Sequence, residues 1–232
     1  MILNLHPEIR IQKLTIGTEK APLLVIDNFV AEPERLVRRA TSRMYTPLGR
    51  FYPGIRAESP PSYQTLFTQH LRDLLYGYFD LKGSAFRFAM CHYSIVTTPA
   101  QKLEGLQRIP HIDAYDGNSL ASIHYLFKGN LGGTAFYRHR KTGFEYVDES
   151  RRETYAASLD SENSGPDMPP AAYINGDTPL FERVGQQEGV FNRILIYRRN
   201  SLHSGSIGKD FVPDPNPATG RLSINTFIQM EP

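Results

Sequence analysis

Tryptophan is absent from the chain, and cysteine occurs once, as Cys91. A single thiol cannot close an intramolecular disulfide, nor can it build the Cys-rich zinc sites that need several thiolates. Long apolar runs are missing too, since no stretch approaches the ~20 residues that span a bilayer as a helix. The opening "MILNLHPEIRIQKL" has no basic segment followed by an apolar one, so it does not read as a signal peptide. Charge of one sign is also scarce. The 26 Lys and Arg stand against 24 Asp and Glu, a net charge of +2. The basic clusters "RHRK" (138–141) and "YRRN" (197–200) are short, and nothing in them resembles the basic stripe of a nucleic-acid binder. The expectation is a cytoplasmic protein with no nucleic acid and no membrane among its partners.

What the chain does contain is aromatic: 13 Phe and 13 Tyr, punctuated by 18 Gly and 17 Pro. At 232 residues it can bury a sizeable core, and it reads as a single domain, 1–232. "APLLVIDNFV" (21–30) is a short apolar strand ending in a turn. "AEPERLVRRATSRM" (31–44) follows as a helix. Glu32, Pro33 and Glu34 lie in its first turn, and Leu36, Val37 and Ala40 share one face. "YQTLFTQHLRDLLYGYF" (63–79) is a second amphipathic helix, its stripe carrying Leu66, Phe67, His70, Leu71, Leu74 and Leu75. The Pro-, Tyr- and Gly-rich segment between the helices reads as loop. These elements form an N-terminal part, 21–84. Over 85–230 the period becomes strand-like in "AFRFAMCHYSIV", "SLASIHYLF", "GTAFYRH", "GFEYV", "FNRILIYRR" and "RLSINTFIQM". Residues 148–180 interrupt that rhythm with a loop insertion holding one helical piece, "ESRRETYAASL". Helices first and a β-rich body after predict a mainly β fold with flanking helices packed on a sandwich or barrel.

The chemistry concentrates in a few places. In "RIPHIDAYDG" (108–117) His111 and Asp113 are two apart, and in a strand residues i and i+2 project to one face. That presents an imidazole and a carboxylate to one ion. Alone, such a pair at a strand end is more often a solvated turn. His203 adds to it, following a strand and a turn in "FNRILIYRRNSLHSGSIG". The terminal strand "GRLSINTFIQM" alternates, with Leu222, Ile224 and Ile228 on one face and Arg221, Ser223 and Asn225 on the other. With the apolar face on the helices, a cation and a hydroxyl look into the β body, which is costly unless a ligand uses them. Other histidines read as packed or surface residues. His124 faces away from Tyr125, His139 lies among cations in "YRHRK", and His92 points away from Cys91 and Tyr93. Gly132 and Gly133 suit a turn or bulge, and Cys91 a small core position.

A His-x-Asp pair, a Tyr-bearing strand before Gly-Gly, a distal His after a strand and an Arg on the last strand, in that order, resemble the iron(II)- and 2-oxoglutarate-dependent dioxygenases. Within them the likeness is to the prolyl-hydroxylase-like branch. "PLLVIDNFVAEPERLVRRA" is also similar to the strand and helix that open members of the branch. The resemblance spans roughly 21–230, with its specific motifs in 93–136 and 192–228. It implies a double-stranded β-helix, the jelly roll shared with cupins.

Through that resemblance His111, Asp113 and His203 match the three metal ligands, which leave open positions on Fe(II). Arg221 matches the arginine that holds the distal carboxylate of 2-oxoglutarate, where a planar guanidinium forms two parallel hydrogen bonds. Arg193 is the next cation to consider. Tyr125 matches a tyrosine that reaches the same carboxylate, Tyr93 one near the cosubstrate in some members, and Ser223 shares the face of Arg221 as a further donor. The spacing from His203 to Arg221 exceeds that usual in the branch, and "KDFVPDPNPAT" in the 204–220 connection reads as an insertion. The implied activity is hydroxylation with Fe(II), 2-oxoglutarate and O2. The substrate class is open between a small molecule, a peptide and a protein, and a homodimer is compatible with the chain. Halogenating members carry a small residue where Asp113 stands, so halogenation is not expected. Two rivals stay open. One is a non-catalytic cupin-like protein that binds a metal or ligand. The other is a different metal-dependent enzyme on the same ligands, such as a zinc hydrolase.

Overall fold

The β-branched and aromatic runs form strands, and the order in which they pair closes two sheets on each other. The computed structural model describes residues 2–49, 51–162 and 165–231. First come β1 (Arg10–Ile16), β2 (Ala21–Asp27), α1 (Pro33–Thr41), β3 (Gly54–Glu58), α2 (Pro61–His70) and α3 (Arg72–Phe79). Then follow β4 (Ala85–Val96), β5 (Ser119–Tyr125), β6 (Gly133–His139), α4 (Arg152–Glu162), β7 (Phe181–Glu188), β8 (Ile194–Arg198), β9 (His203–Ser206) and β10 (Leu222–Glu231).

The large sheet has the order β1-β2-β8-β5-β10-β4-β3 and the small one β7-β6-β9. Every pairing is antiparallel. An isolated bridge joins His111 to His203 at the outer edge of β9. From β4 onward the chain crosses between sheets: β4 large, the His111 bridge small, β5 large, β6 and β7 small, β8 large, β9 small, β10 large. Strands interleaved in this way make a jelly roll, or double-stranded β-helix. The fold class is mainly β, with α1, α2 and α3 on the large sheet and α4 against the small one.

The large sheet is buried on both faces. Its outer face carries Leu24, Ile26, Ile196, Leu222, Ile224 and Ile228, against which α1, α2 and α3 place Leu36, Phe67 and Leu75. Its inner face meets the small sheet around Val25, Tyr125, Phe136, Leu195 and Tyr197. α1 is favoured by Pro33 in its first turn, by Glu34 near its N-terminus and by Arg38 and Arg39 near its C-terminus, charges that complement the helix dipole. The helix expected over 63–79 is two, α2 and α3, joined at Leu71, and His70 is exposed rather than part of the buried stripe. α3 stops at Asp80, whose φ of 45° is the left-handed turn that Asp tolerates. The segment before α2 is not all loop, since 54–58 pairs with β4 as an edge strand. β1 is likewise additional to the expected strands, pairing with β2 along its whole length.

On the outer face His124 is fully buried. It lies edge-on to Phe29 at 5.3 Å and stacks on Tyr63 at 5.8 Å between ring centroids. Its Nε2 is 3.1 Å from Asn192 Oδ1; an amide oxygen only accepts, so Nε2 carries the proton and the buried Nδ1 is unpaired. Burial drives its pKa down to about 3, opposed in part by the Asn192 hydrogen bond. The unfolded value is ~6.5, so below that pH the unfolded chain takes a proton that the native state refuses. Stability is therefore complete above ~6.5 and falls as pH drops toward 3, by about 1.4 kcal/mol per pH unit for one full proton. Denaturant unfolding at pH 7 and pH 4.5 should show a smaller loss in His124→Phe than in the wild type. Equal losses would place the acid sensitivity elsewhere.

Candidate metal centre

His111 and His203 face each other across one antiparallel rung. The N–H of His111 donates to His203 O at 2.9 Å, and the N–H of His203 donates to His111 O at 3.0 Å. The two rings consequently sit side by side, with centroids 4.4 Å apart. Asp113, two residues on, projects to the same side because its N–H is held by Arg199 O at 2.8 Å. Its Oδ1 lies 3.8 Å from His111 Nε2 and its Oδ2 3.6 Å from His203 Nε2. One ligating atom from each of the three residues falls within 4.8 Å of the others.

The donor set is prepared for a cation. His203 Nδ1 is 2.9 Å from the Ser201 carbonyl, which can only accept, so Nδ1 carries a proton and Nε2 is the atom turned toward Asp113, free to serve as the ligand. Tyr197 packs against the same ring at 4.7 Å. A metal about 2.1 Å from each donor would hold neighbouring donors about 3 Å apart, so a small inward movement of these side chains completes the set. Two imidazoles and a carboxylate on one face suit a non-haem Fe(II) with open positions. Asp113 and His203 are largely buried, whereas the His111 side chain keeps 53% of its surface open. The surrounding protein and then the neighbouring His203 lower the pKa of His111, which favours the neutral ring that a metal needs.

On β10 the alternation expected from the sequence is present. Leu222, Ile224 and Ile228 join the helix-side core, while Ser223 stands on the inner face opposite Tyr125. Arg221, at 3% exposure, donates from Nε to Leu131 O and from Nη2 to Gly133 O, both at 2.8 Å. Among the described residues no carboxylate pairs with it. Burial lowers its pKa, and Tyr125, Tyr52 and Tyr173 favour its charged form. The Tyr125 hydroxyl lies 2.7 Å from Thr134 Oγ1, and the Ser223 hydroxyl donates to Asn225 Oδ1 at 2.8 Å. Gly133 has no room for a side chain, since a Cβ there would meet Gln187 O at 2.0 Å; β6 and β7 approach closely at that point.

Two expectations are corrected. Tyr93 is not beside the triad: its hydroxyl donates to Leu36 O at 2.9 Å, in the core under the helices. Strand parity then turns His92 inward, on the rung of Asn225. Arg193 is already engaged, its guanidinium gripping Asp27 with Nε and Nη2 at 2.6 and 3.0 Å. Sequence reasoning missed Tyr52 and Tyr173 beside Arg221 and Arg56 and Arg199 beside Asp113. None of them stands in a motif; only the closure of the sheets assembles them. A cleft of about 1080 Å³ is lined by Leu131, Gly133, Asn175, Ser206 and Phe211. It opens at the Arg221 end and touches none of the triad.

No curated protein matches the chain by sequence. Among solved structures it is similar to SnoN, a non-haem alpha-ketoglutarate-dependent epimerase from nogalamycin biosynthesis, at 13% identity and a TM-score of 0.48 over 86% of this chain and 73% of that one. It is similar to HygX from Streptomyces hygroscopicus, with nickel and 2-oxoglutarate bound, at 14% identity and a TM-score of 0.45 over 91% and 84% of the two chains. A third is an N-substituted L-amino acid dioxygenase from Burkholderia ambifaria in complex with alpha-KG, at 10% identity and a TM-score of 0.38 over 97% and 98%. By the match of its residues 7–228 to the family profile, the chain belongs to DUF6445, a family of unknown function.

Proposed function

We propose that the chain is an Fe(II)- and 2-oxoglutarate-dependent oxygenase of the prolyl-hydroxylase-like branch that hydroxylates its substrate. The observation that carries this reading is a buried arginine with no carboxylate partner among the described residues, Arg221, set a short distance along the same strands from a His-Asp-His cluster. Gly133, which accepts from Arg221, pairs with Ser206, and three residues further along the same two strands Phe136 pairs with His203. Three residues of strand span about 10 Å. A five-carbon diacid that chelates a metal at one end and meets a guanidinium at the other also spans about 10 Å.

In this reading His111, Asp113 and His203 hold the metal on one face and leave the other open to cosubstrate and O2. The Ser201 carbonyl fixes the tautomer of His203. Arg221 takes the distal carboxylate, and Tyr125 and Ser223 flank it from β5 and β10. Phe127, Phe136 and Tyr197 keep water from the inner end of the cavity. The bound iron supplies the redox chemistry: O2 delivers one oxygen atom to 2-oxoglutarate, which leaves as succinate and CO2, and the other to a substrate C–H, which becomes C–OH. Asp113 would hold the metal with a carboxylate and leave no place for a halide ligand, so hydroxylation is the expected outcome.

The test is succinate formation from 2-oxoglutarate, followed by proton NMR with Fe(II) in air. Succinate should appear and should stop without O2, without Fe(II) or on adding a chelator. A substrate turnover that survives without O2 and 2-oxoglutarate would instead support a hydrolase on the same ligands. Tight binding of iron and 2-oxoglutarate with no succinate would support a non-catalytic binding protein.

A further inference from the structure

Two more arginines crowd the triad. Arg199 is 8% exposed, and its guanidinium lies over the Phe227 ring, 4.3 Å from the centroid. Its Nη2 donates to the Asp113 carbonyl at 3.1 Å, while Nε and Nη1 are buried without a partner. Arg56, on β3, stacks on Tyr52 at 3.9 Å. Its Nη1 donates to Leu48 O at 3.3 Å, and its Nε is buried without a partner. Burial weakens the charge of each; Tyr52 and then Asp113 support it at Arg56, and Asp113 and then Asp116 at Arg199. A guanidinium does not give up its proton in a protein, so both stay cationic. No carboxylate is within ion-pair distance of either among the described residues, and Asp116 is exposed, with both oxygens engaged by Asn118 and Ser119.

A buried donor left unmade is expensive, and more so when charged. The charge balance points the same way. An Fe(II) ion with Asp113, 2-oxoglutarate and Arg221 is already neutral, because the two charges of the metal and one of Arg221 meet three negative ones. Arg56 and Arg199 then remain as two uncompensated cations, both within the electrostatic reach of Asp113. We propose that Arg199 and Arg56 receive the anionic group of the substrate, so that the substrate is a small organic acid bearing a carboxylate or phosphate. The idle Nε and Nη1 of Arg199 lie on the two different edges of its fork, on either side of the engaged Nη2, so each edge keeps one donor for an oxygen of an anion. The proposal names the substrate class of the oxygenase read above and rests on that reading for the reaction, though not for the binding.

The probe is trifluoroacetate, compared with neutral trifluoroacetamide of nearly the same shape. The protein is loaded with Mn(II) and saturated with 2-oxoglutarate, and fluorine NMR line width and relaxation are followed. Trifluoroacetate should bind saturably and relax rapidly beside the manganese, with at least tenfold higher affinity than the amide. Arg199→Gln should remove most of that preference and Arg56→Gln should reduce it; the second variant keeps the question decidable if the first does not fold. Equal binding of acid and amide would overturn the proposal, as would an anion preference unchanged in both variants. The manganese EPR signal reports the triad separately. If manganese does not bind, the iron reading falls, while line widths on the metal-free protein and its variants still decide the anion site.

Discussion

Replacing His203 with alanine is expected to cost more than about 100-fold in Fe(II) affinity, and His111→Ala and Asp113→Ala should do the same. Removing a group that merely orients a metal ligand typically costs 10–100-fold, so removing the ligand itself goes beyond that range. The three losses need not be equal. His203→Ala takes away a ring already held at Nδ1 by Ser201, whereas Asp113→Ala takes away the one negative charge the triad offers to the metal. His70, exposed at the end of α2, supplies the control, since His70→Ala should leave the affinity unchanged. Anaerobic Fe(II) titration against a competing chelator measures all four. Wild-type affinity in all three triad variants would move the metal elsewhere.

The second large effect belongs to Arg221. Removing one partner from a buried charged pair costs about 3–5 kcal/mol, which at ~1.4 kcal/mol per factor of ten is two to three orders of magnitude in 2-oxoglutarate affinity. Arg221→Ala should show that loss with metal affinity nearly unchanged. Arg221→Lys should fall between, because it keeps the charge and gives up the planar fork. Calorimetric titration of 2-oxoglutarate into the nickel-loaded proteins makes the comparison. An unaltered affinity in Arg221→Ala would shift the anchor to Arg199 or Arg56, because Arg193 is bound to Asp27.

Most strands of the body were legible because their alternation is strong, and β10 shows it best: one face is aliphatic and the other carries Ser223 and Asn225, with Arg221 just before it. β7 was not expected, and "GFEYV" makes only the single bridge of Tyr146 to Ser201. The pairing of His111 with Asp113 was legible for the same reason of period. Tyr93 was misplaced because β4 is buried on both faces, one under helices and the other inside the roll. Neither "CHYSIV" face is plainly polar, so parity cannot be settled from composition. β3 was hidden in a Pro-rich stretch, since an edge strand of five residues needs only one neighbour to form. Arg56 and Arg199 were not singled out, for a related reason. Their surroundings arise from pairing between segments distant in sequence, as with Arg56 and Ser94 across β3 and β4 or Arg199 and the Asp113 carbonyl 86 residues away, and no local pattern records that.

The reciprocal amide pair that joins His111 to His203 bears on which ion the proposed site would take. A frame fixed by its own backbone does not need a metal to assemble it, so it holds nearly the same three donors out to any divalent ion of suitable radius. Nitrogen and oxygen donors of this kind favour nickel, copper and zinc over iron in the Irving–Williams order. Discrimination then passes from the protein to the supply of ions around it, and mismetallation becomes the ordinary hazard. Preparations purified in air or over nickel resin should be expected to arrive with the wrong ion seated, silent until it is stripped and replaced under reducing conditions.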